Sequence, residues 1–322
     1  MGTEQIDAAS LFRYGSRGKL SFQNFPFQTR VKTASKNEMI TDSAAAASAM
    51  ASGHKFNNGE ISFLSKENSY ATQLEHCQQL GKKTALITTD SITGATPGAF
   101  ASHVQSRYMT ADIADHYLNH SRPDVLLGGQ DINLHQKNVT AAGYSYVKTR
   151  EELLESSTLK SEQKILGLFG YTTLPYVANR DANIPSLRDM IEFSLNRFLP
   201  DKNGFCIFAE AGRIDHAGHE NNIEYLIGEV LELDSVVVFL LEYWLSKNPD
   251  TLLVIAADHE TGGLKVEDAT NPTHLEELPR VTWQTSGHTP VDAPVFVSGK
   301  NAQYFLQAKD NTDIFSIIYH TL

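Results

Sequence analysis

The sequence predicts an α/β fold in which a mostly parallel sheet is covered by helices on both faces. Two observations predict it: short β-branched or aliphatic runs bounded by Gly, Asp or Thr recur along the chain, and helix-period segments lie between them. Length supports the same class. A chain of 322 residues, 41% hydrophobic and 20% charged, has enough apolar material for a large core.

Taken in order, Thr41-Asp42-Ser43 supplies N-cap residues before the Ala-rich stretch that predicts a helix over Ser43 to Ser52. Helical periodicity recurs over Tyr70 to Leu80, Thr110 to Asn119, Ser186 to Phe198 and Asn221 to Ser246. Buried strands are predicted at Thr84 to Thr89, Asp124 to Leu127, Phe205 to Ala209, Leu252 to Ala257 and Pro294 to Val297. The polar, weakly patterned stretch 130–161 reads as an insertion on a single catalytic domain spanning 1–322.

Composition removes several functions. Asp and Glu outnumber Lys and Arg by 38 to 27, giving a formal charge of −11, and no basic, aromatic-interleaved stretch occurs, so a nucleic-acid-binding surface is disfavoured. The longest apolar run, Val236 to Leu241, is far shorter than the roughly 20 residues of a membrane span and is followed by Glu242. Met1 to Phe12 contains no signal-peptide pattern. Two cysteines, Cys77 and Cys206, exclude a disulfide framework and a cysteine-rich zinc module; they read as isolated thiols. Any metal site must then use the 12 histidines and the carboxylates.

In parallel sheets ligands lie beyond the carboxyl ends of the strands. After Ala209 comes Glu210-Ala-Gly-Arg-Ile-Asp215-His216-Ala-Gly-His219, where Asp215 and His219, four residues apart, can share one helical face and suit zinc, leaving Glu210 for a harder cation. Asp258-His259 follows another strand, and His288 precedes the strand at Pro294. Each residue alone also reads as a cap or turn residue; three such groups at successive strand ends of one sheet read as a site. Ser43, at a helix N-terminus, sits where free N–H groups favour both an alkoxide and a bound phosphate, although a plain cap explains it equally. Thr96 offers a hydroxyl to a hard cation, or an N-cap before Pro97; Arg107 offers a planar fork to phosphate oxygens, or a solvated helix end. His103 reads as a packed or capping residue.

Together and in this order, Thr41-Asp42-Ser43-Ala-Ala-Ala, Ala95-Thr96-Pro97 through Arg107, Glu210 to His219, Asp258-His259 and Gly287-His288-Thr289 resemble the motifs of the alkaline phosphatase family, bacterial type. The resemblance implies a doubly wound α/β sandwich with a largely parallel central sheet. It also implies hydrolysis of phosphate monoesters through a phosphoserine on Ser43. Asp215, His219 and His288 would hold one zinc; Asp258 and His259 the second, which activates Ser43; Thr96 and Glu210 one magnesium. Arg107, oriented by Asp42, would hold the phosphoryl oxygens, and His216 would reach the phosphate through water. Small phosphomonoesters as substrates, a homodimer, and a periplasmic or secreted location follow from the same resemblance.

Two departures stand out. The family carries a Gly-Asp-Gly-Met-Gly segment whose Asp bridges the second zinc and the magnesium; this chain begins Met1-Gly2, aligned with its end, so the bridging Asp and its strand are absent. Two readings compete, a start placed at an internal methionine, which is favoured, and a truly truncated product, for which weak metal binding and poor stability are expected. Asp7 is no substitute, since it falls in the following helix. At Gly94 the family usually carries Asp or His, so a weak or water-filled third site is expected. The competing readings are a related phosphodiesterase or sulfatase, and a phosphate- or metal-binding protein without turnover.

Overall fold

A computed structural model describes residues 1–65, 69–267 and 275–322. The strands are β1 (Phe27–Val31), β2 (Lys83–Ser91), β3 (Val125–Gly129), β4 (Tyr144–Val147), β5 (Lys164–Phe169), β6 (Phe205–Glu210), β7 (Leu252–Ala256), the two-residue pieces β8 (Glu260–Thr261), β9 (Lys265–Val266), β10 (Val281–Thr282) and β11 (His288–Thr289), and β12 (Ala293–Gly299). The central sheet is parallel throughout, in the order β4-β5-β3-β2-β6.

Consecutive residues of the central strands bury into different layers, as the two-residue period of a strand demands. Leu86, Leu126 and Leu166 pack on one side with Ala44, Ala101, Ile113 and Tyr117. Ala85, Ile87, Val125, Leu127 and Ile165 pack on the other with Leu187, Met190, Leu195, Phe198 and Val236. Helices Ser43–Ser52, Ala95–Ala101 and Thr110–Asp115 thus cover one face, and Leu187–Phe198 and Ile223–Phe239 the other. This is the doubly wound sandwich with a largely parallel sheet.

Local sequence explains the helices. Ser43–Ser52 starts at Asp42, whose side chain accepts from the Ala45 N–H, and stops at Gly53 in the left-handed region, φ 75°. Its alanines leave little side-chain volume, so it packs closely against Ala95–Ala101. Leu187–Phe198 opens with a capping box between Ser186 and Asp189. The helix predicted over Asn221 to Ser246 forms as Ile223–Phe239 and continues through wider π turns over Leu240–Leu245.

Four expectations change. First, β7 and β12 do not extend the parallel sheet; with β1 they form a separate antiparallel sheet in the order β1-β12-β7, so the metal-type residues do not lie on one sheet. Each of β6 and β7 has one hydrogen-bonded neighbour among the described strands, and β6 is half-buried where β2 and β3 are largely buried. Second, the stretch 130–161 supplies β4, the edge strand of the central sheet, besides two short helices. Third, Cys77 and Cys206 are joined in a disulfide, with Cα atoms 6.4 Å apart, linking the helix Gln73–Gln79 to β6. They are not isolated thiols. Fourth, the helix at Thr96 ends at Ala101, so His103 and Arg107 lie beyond it. Gly94 caps that helix, which removes the N-cap reading of Thr96.

Asp7 falls inside the helix Thr3–Tyr14, as expected, and is held by Arg17 at 3.0 Å and Gln23 at 2.9 Å. No helix among the described residues is long and apolar enough to cross a membrane.

Candidate active site

The site lies where the chain leaves the carboxyl ends of β2, β6 and β7, beside the first turn of Ser43–Ser52. Ser43 is the first residue of that helix, and its Oγ stands 3.0 Å from Nε2 of His259. His259 is fully buried, and the same Nε2 is 3.0 Å from the Asp258 carboxylate. Its ring stacks on that of His288 with centroids 3.5 Å apart. His288 reaches this place because β11 pairs with β8 in the register His288–Thr261 and Thr289–Glu260.

Ligand-type atoms converge here. Asp215, His259 and His288 each offer one such atom, and these lie within 4.8 Å of one another. His219 joins them: its Nε2 is 3.3 Å from Asp215 and 3.2 Å from Nε2 of His288. The helix Arg213–His219 presents Asp215 and His219 from one face, as the four-residue spacing predicts.

The backbone settles which imidazole nitrogens face inward. Nδ1 of His288 lies 2.8 Å from the Thr41 carbonyl, and Nδ1 of His219 lies 2.6 Å from the Ser286 carbonyl. A carbonyl only accepts, so both Nδ1 atoms donate, and both Nε2 atoms are turned toward Asp215. Such outer hydrogen bonds are those that orient metal-binding histidines. The donor set therefore fits zinc. His259 stands between the two expected ligand sets, since its Nδ1 faces Asp215 at 3.9 Å while its Nε2 faces Asp258.

The electrostatics agree. Burial opposes ionisation of Asp215, but the hydrogen bond from His219 and the nearby imidazoles outweigh it and hold the carboxyl well below its usual range. The bond to Asp215 raises His219 to about 9. Burial, and then the neighbouring His259, lowers His288. Asp258 is held low because the charge and hydrogen bond of His259 overcome its burial.

Arg107 stands across from these groups. Its Nη1 donates to Oδ2 of Asp42 at 3.1 Å. Asp42 also accepts from the N–H groups of Ala45 and Gly59, both at 3.0 Å, and the Arg107 N–H donates to the Gly59 carbonyl at 2.8 Å. One carboxylate thus caps the helix of Ser43 and aims the guanidinium.

Glu210 closes the site on the other side. Its carboxylate accepts from Thr88 and pairs with the Thr96 hydroxyl. Burial, and then the charge of Asp90, pushes it up to about 7. A buried carboxyl with hydroxyl neighbours and a second carboxylate nearby fits a hard cation such as magnesium. His216 is turned toward Asp90, 3.3 Å away, and contacts Arg213. The Asp90 bond outweighs the burial of His216 and raises it.

The structure thus brings Ser43, Asp215, His219, His259, His288 and Asp258 together, sets Arg107 on Asp42, and sets Glu210 beside Thr96. His103 is structural, bonded to the Ser62 carbonyl at 2.7 Å and to Glu75 at 2.9 Å. Sequence reading missed Asp90, although it closes the strand at Thr89 and the rule of strand ends points to it.

Comparison with known proteins gives the chain's class, a hydrolase of phosphoric monoesters. The family model "Alkaline phosphatase" matches residues 1–141 and 124–278, and the chain belongs to that family. It is 29% identical to alkaline phosphatase 3 of Bacillus subtilis, over 88% of this chain and 77% of that protein. To alkaline phosphatase 4 of the same organism it is 36% identical, over 70% of this chain and half of that protein. Among solved structures, the cold-active enzyme of a Shewanella species superposes with a TM-score of 0.86 at 26% identity, covering 99% of this chain and 96% of that one. The enzyme of the Antarctic bacterium TAB5 superposes with a TM-score of 0.85 at 24% identity, covering all of this chain and 94% of that one, and so attests the fold.

Proposed function

We propose that the chain hydrolyses phosphate monoesters through a phosphoserine on Ser43, with two zinc ions and one magnesium. The observation that carries this reading is the Ser43 hydroxyl 3.0 Å from Nε2 of His259, itself in the Asp215–His288 cluster, on a helix whose cap, Asp42, also holds Arg107. Zinc held by Asp215, His219 and His288, and by Asp258 and His259, would supply positive charge for the attacking and leaving oxygens and make a hydroxyl or water ionise near neutrality. The side chains do the rest.

Arg107, fixed by Asp42, grips phosphoryl oxygens that do not leave, and the N–H groups at the head of Ser43–Ser52 face the same anion. His259, whose Nε2 faces both Asp258 and Ser43 Oγ at 3.0 Å, puts the nitrogen that would hold the second zinc beside the attacking hydroxyl. Attack by Oγ forms the O–P bond as the alcohol departs; water then takes the phosphoryl group and restores Ser43. Thr96 and Glu210 would hold the magnesium, and His216 would meet the phosphate through water.

The disulfide between Cys77 and Cys206 supports a periplasmic or secreted location, since such bonds persist in oxidising compartments. The test is turnover of p-nitrophenyl phosphate with zinc and magnesium, its loss on chelation and its return when the metals are restored. Phosphate binding at saturating metal without turnover would decide for the non-catalytic reading.

A further inference from the structure

Asp90 has no place in the motifs that identify the site, yet it stands inside it. A Cβ built at Gly94 would lie 3.6 Å from Asp90 Oδ2 and 2.9 Å from the Ser91 carbonyl oxygen. The Asp90 carboxylate therefore occupies the space into which a side chain at position 94 would project. On its other flank, one point at Gly212, where a Cβ would stand, is 2.8 Å from Asp90 Cβ and 3.3 Å from Glu210 Oε2. Gly212 is the spacer that lets the two acids approach.

Asp90 is held in this pose. Its N–H donates to Thr88 Oγ1 at 2.9 Å, and that same hydroxyl donates to Glu210. The Ser91 N–H donates to Asp90 Oδ1 at 2.7 Å, which leaves Oδ2 facing the site and His216. Asp90 and Glu210, with the hydroxyls of Thr88 and Thr96, make an all-oxygen set of the kind a hard divalent cation takes. Beside Gly94, which offers no side chain, Asp90 thus offers a carboxylate.

We propose that Asp90 supplies to the magnesium site the carboxylate that position 94 lacks, and that residues 90 and 94 are alternatives for this one place. The assignment rests on the reading of Glu210 and Thr96 as that site. It follows that an acid at both positions crowds like charge, whereas an acid moved from 90 to 94 keeps the site.

The probe is Mn2+, titrated into the zinc-loaded full chain and followed by electron paramagnetic resonance, a readout independent of turnover. Asp90→Ala should weaken Mn2+ binding about tenfold to a hundredfold, and adding Gly94→Asp to it should restore most of the loss. If Asp90→Ala does not fold, as judged by circular dichroism, the isosteric Asp90→Asn takes its place. Unchanged Mn2+ binding in the folded single variant, or no recovery in the folded double variant, overturns the assignment alone. A parent chain that binds no Mn2+ overturns the reading of Glu210 and Thr96 and this assignment with it.

Discussion

Ser43 Oγ lies 3.0 Å from Nε2 of His259, a buried residue 216 positions away, and this contact joins the head of a helix to the end of a strand in the antiparallel sheet. In the proposed reading Ser43 is the nucleophile. Ser43→Ala should lower kcat for p-nitrophenyl phosphate by about a thousandfold or more. It should also abolish labelling of the protein by a 32P-phosphomonoester at acid quench. Residual labelling would place the phosphoryl group elsewhere.

Arg107 and Asp42 should separate by what each variant damages. Arg107 is held at its tip by Asp42, so Arg107→Ala should raise KM and reduce kcat/KM about tenfold to a hundredfold while the unfolding midpoint stays nearly unchanged. Asp42 also caps the helix of Ser43, so Asp42→Ala should show both a raised KM and a stability loss of about 1 to 2 kcal/mol. Steady-state kinetics and urea unfolding on the same preparations distinguish the two.

The Cys77–Cys206 disulfide closes a separation of 129 residues. Constraining so long a loop in the unfolded chain stabilises the fold by about 2 to 5 kcal/mol. The double variant Cys77→Ala/Cys206→Ala should therefore unfold at a clearly lower denaturant concentration than the parent, and reductant should move the parent toward the variant. An unmoved midpoint would remove the disulfide from the account of stability.

Glu229 gives a pH prediction outside the active site. Burial raises its carboxyl to about 7; Oε1 accepts from the Val177 N–H at 2.7 Å, while Oε2 has no hydrogen-bond partner. Because the folded state binds this proton more tightly than the unfolded state, its contribution is fully present below the unfolded pKa and is lost as pH rises through 7. Glu229→Gln keeps an acceptor for Val177 and removes the charge. Its stability relative to the parent should rise by about 1 to 3 kcal/mol between pH 4.5 and pH 8, measured by urea unfolding at both.

Much of the site is legible because its residues come in local groups. Asp215 and His219 share a helical face at a spacing visible in the chain, and Asp42 announces the helix that carries Ser43. Asp90 is harder to see, since what gives it meaning is the empty side of Gly94 and the closeness of Glu210. The strands β1, β4 and β5 escape notice for a related reason. β1 alternates half-buried and exposed along an edge, β4 is four residues in a polar stretch, and β5 is broken by Gly167, against which Leu127 and Phe169 close.

By itself the sequence determined the alternation of strands and helices, the residue types of the site and their order, because periodicity, caps and short spacings are local properties. The tertiary structure alone decided that β7 and β12 pair in an antiparallel sheet, that Cys77 meets Cys206, that His259 stands between Asp215 and Ser43, and that Asp90 fills the side of Gly94. Each is a contact between elements whose apolar faces must first be buried together. Only the packed core fixes the distances on which that chemistry depends.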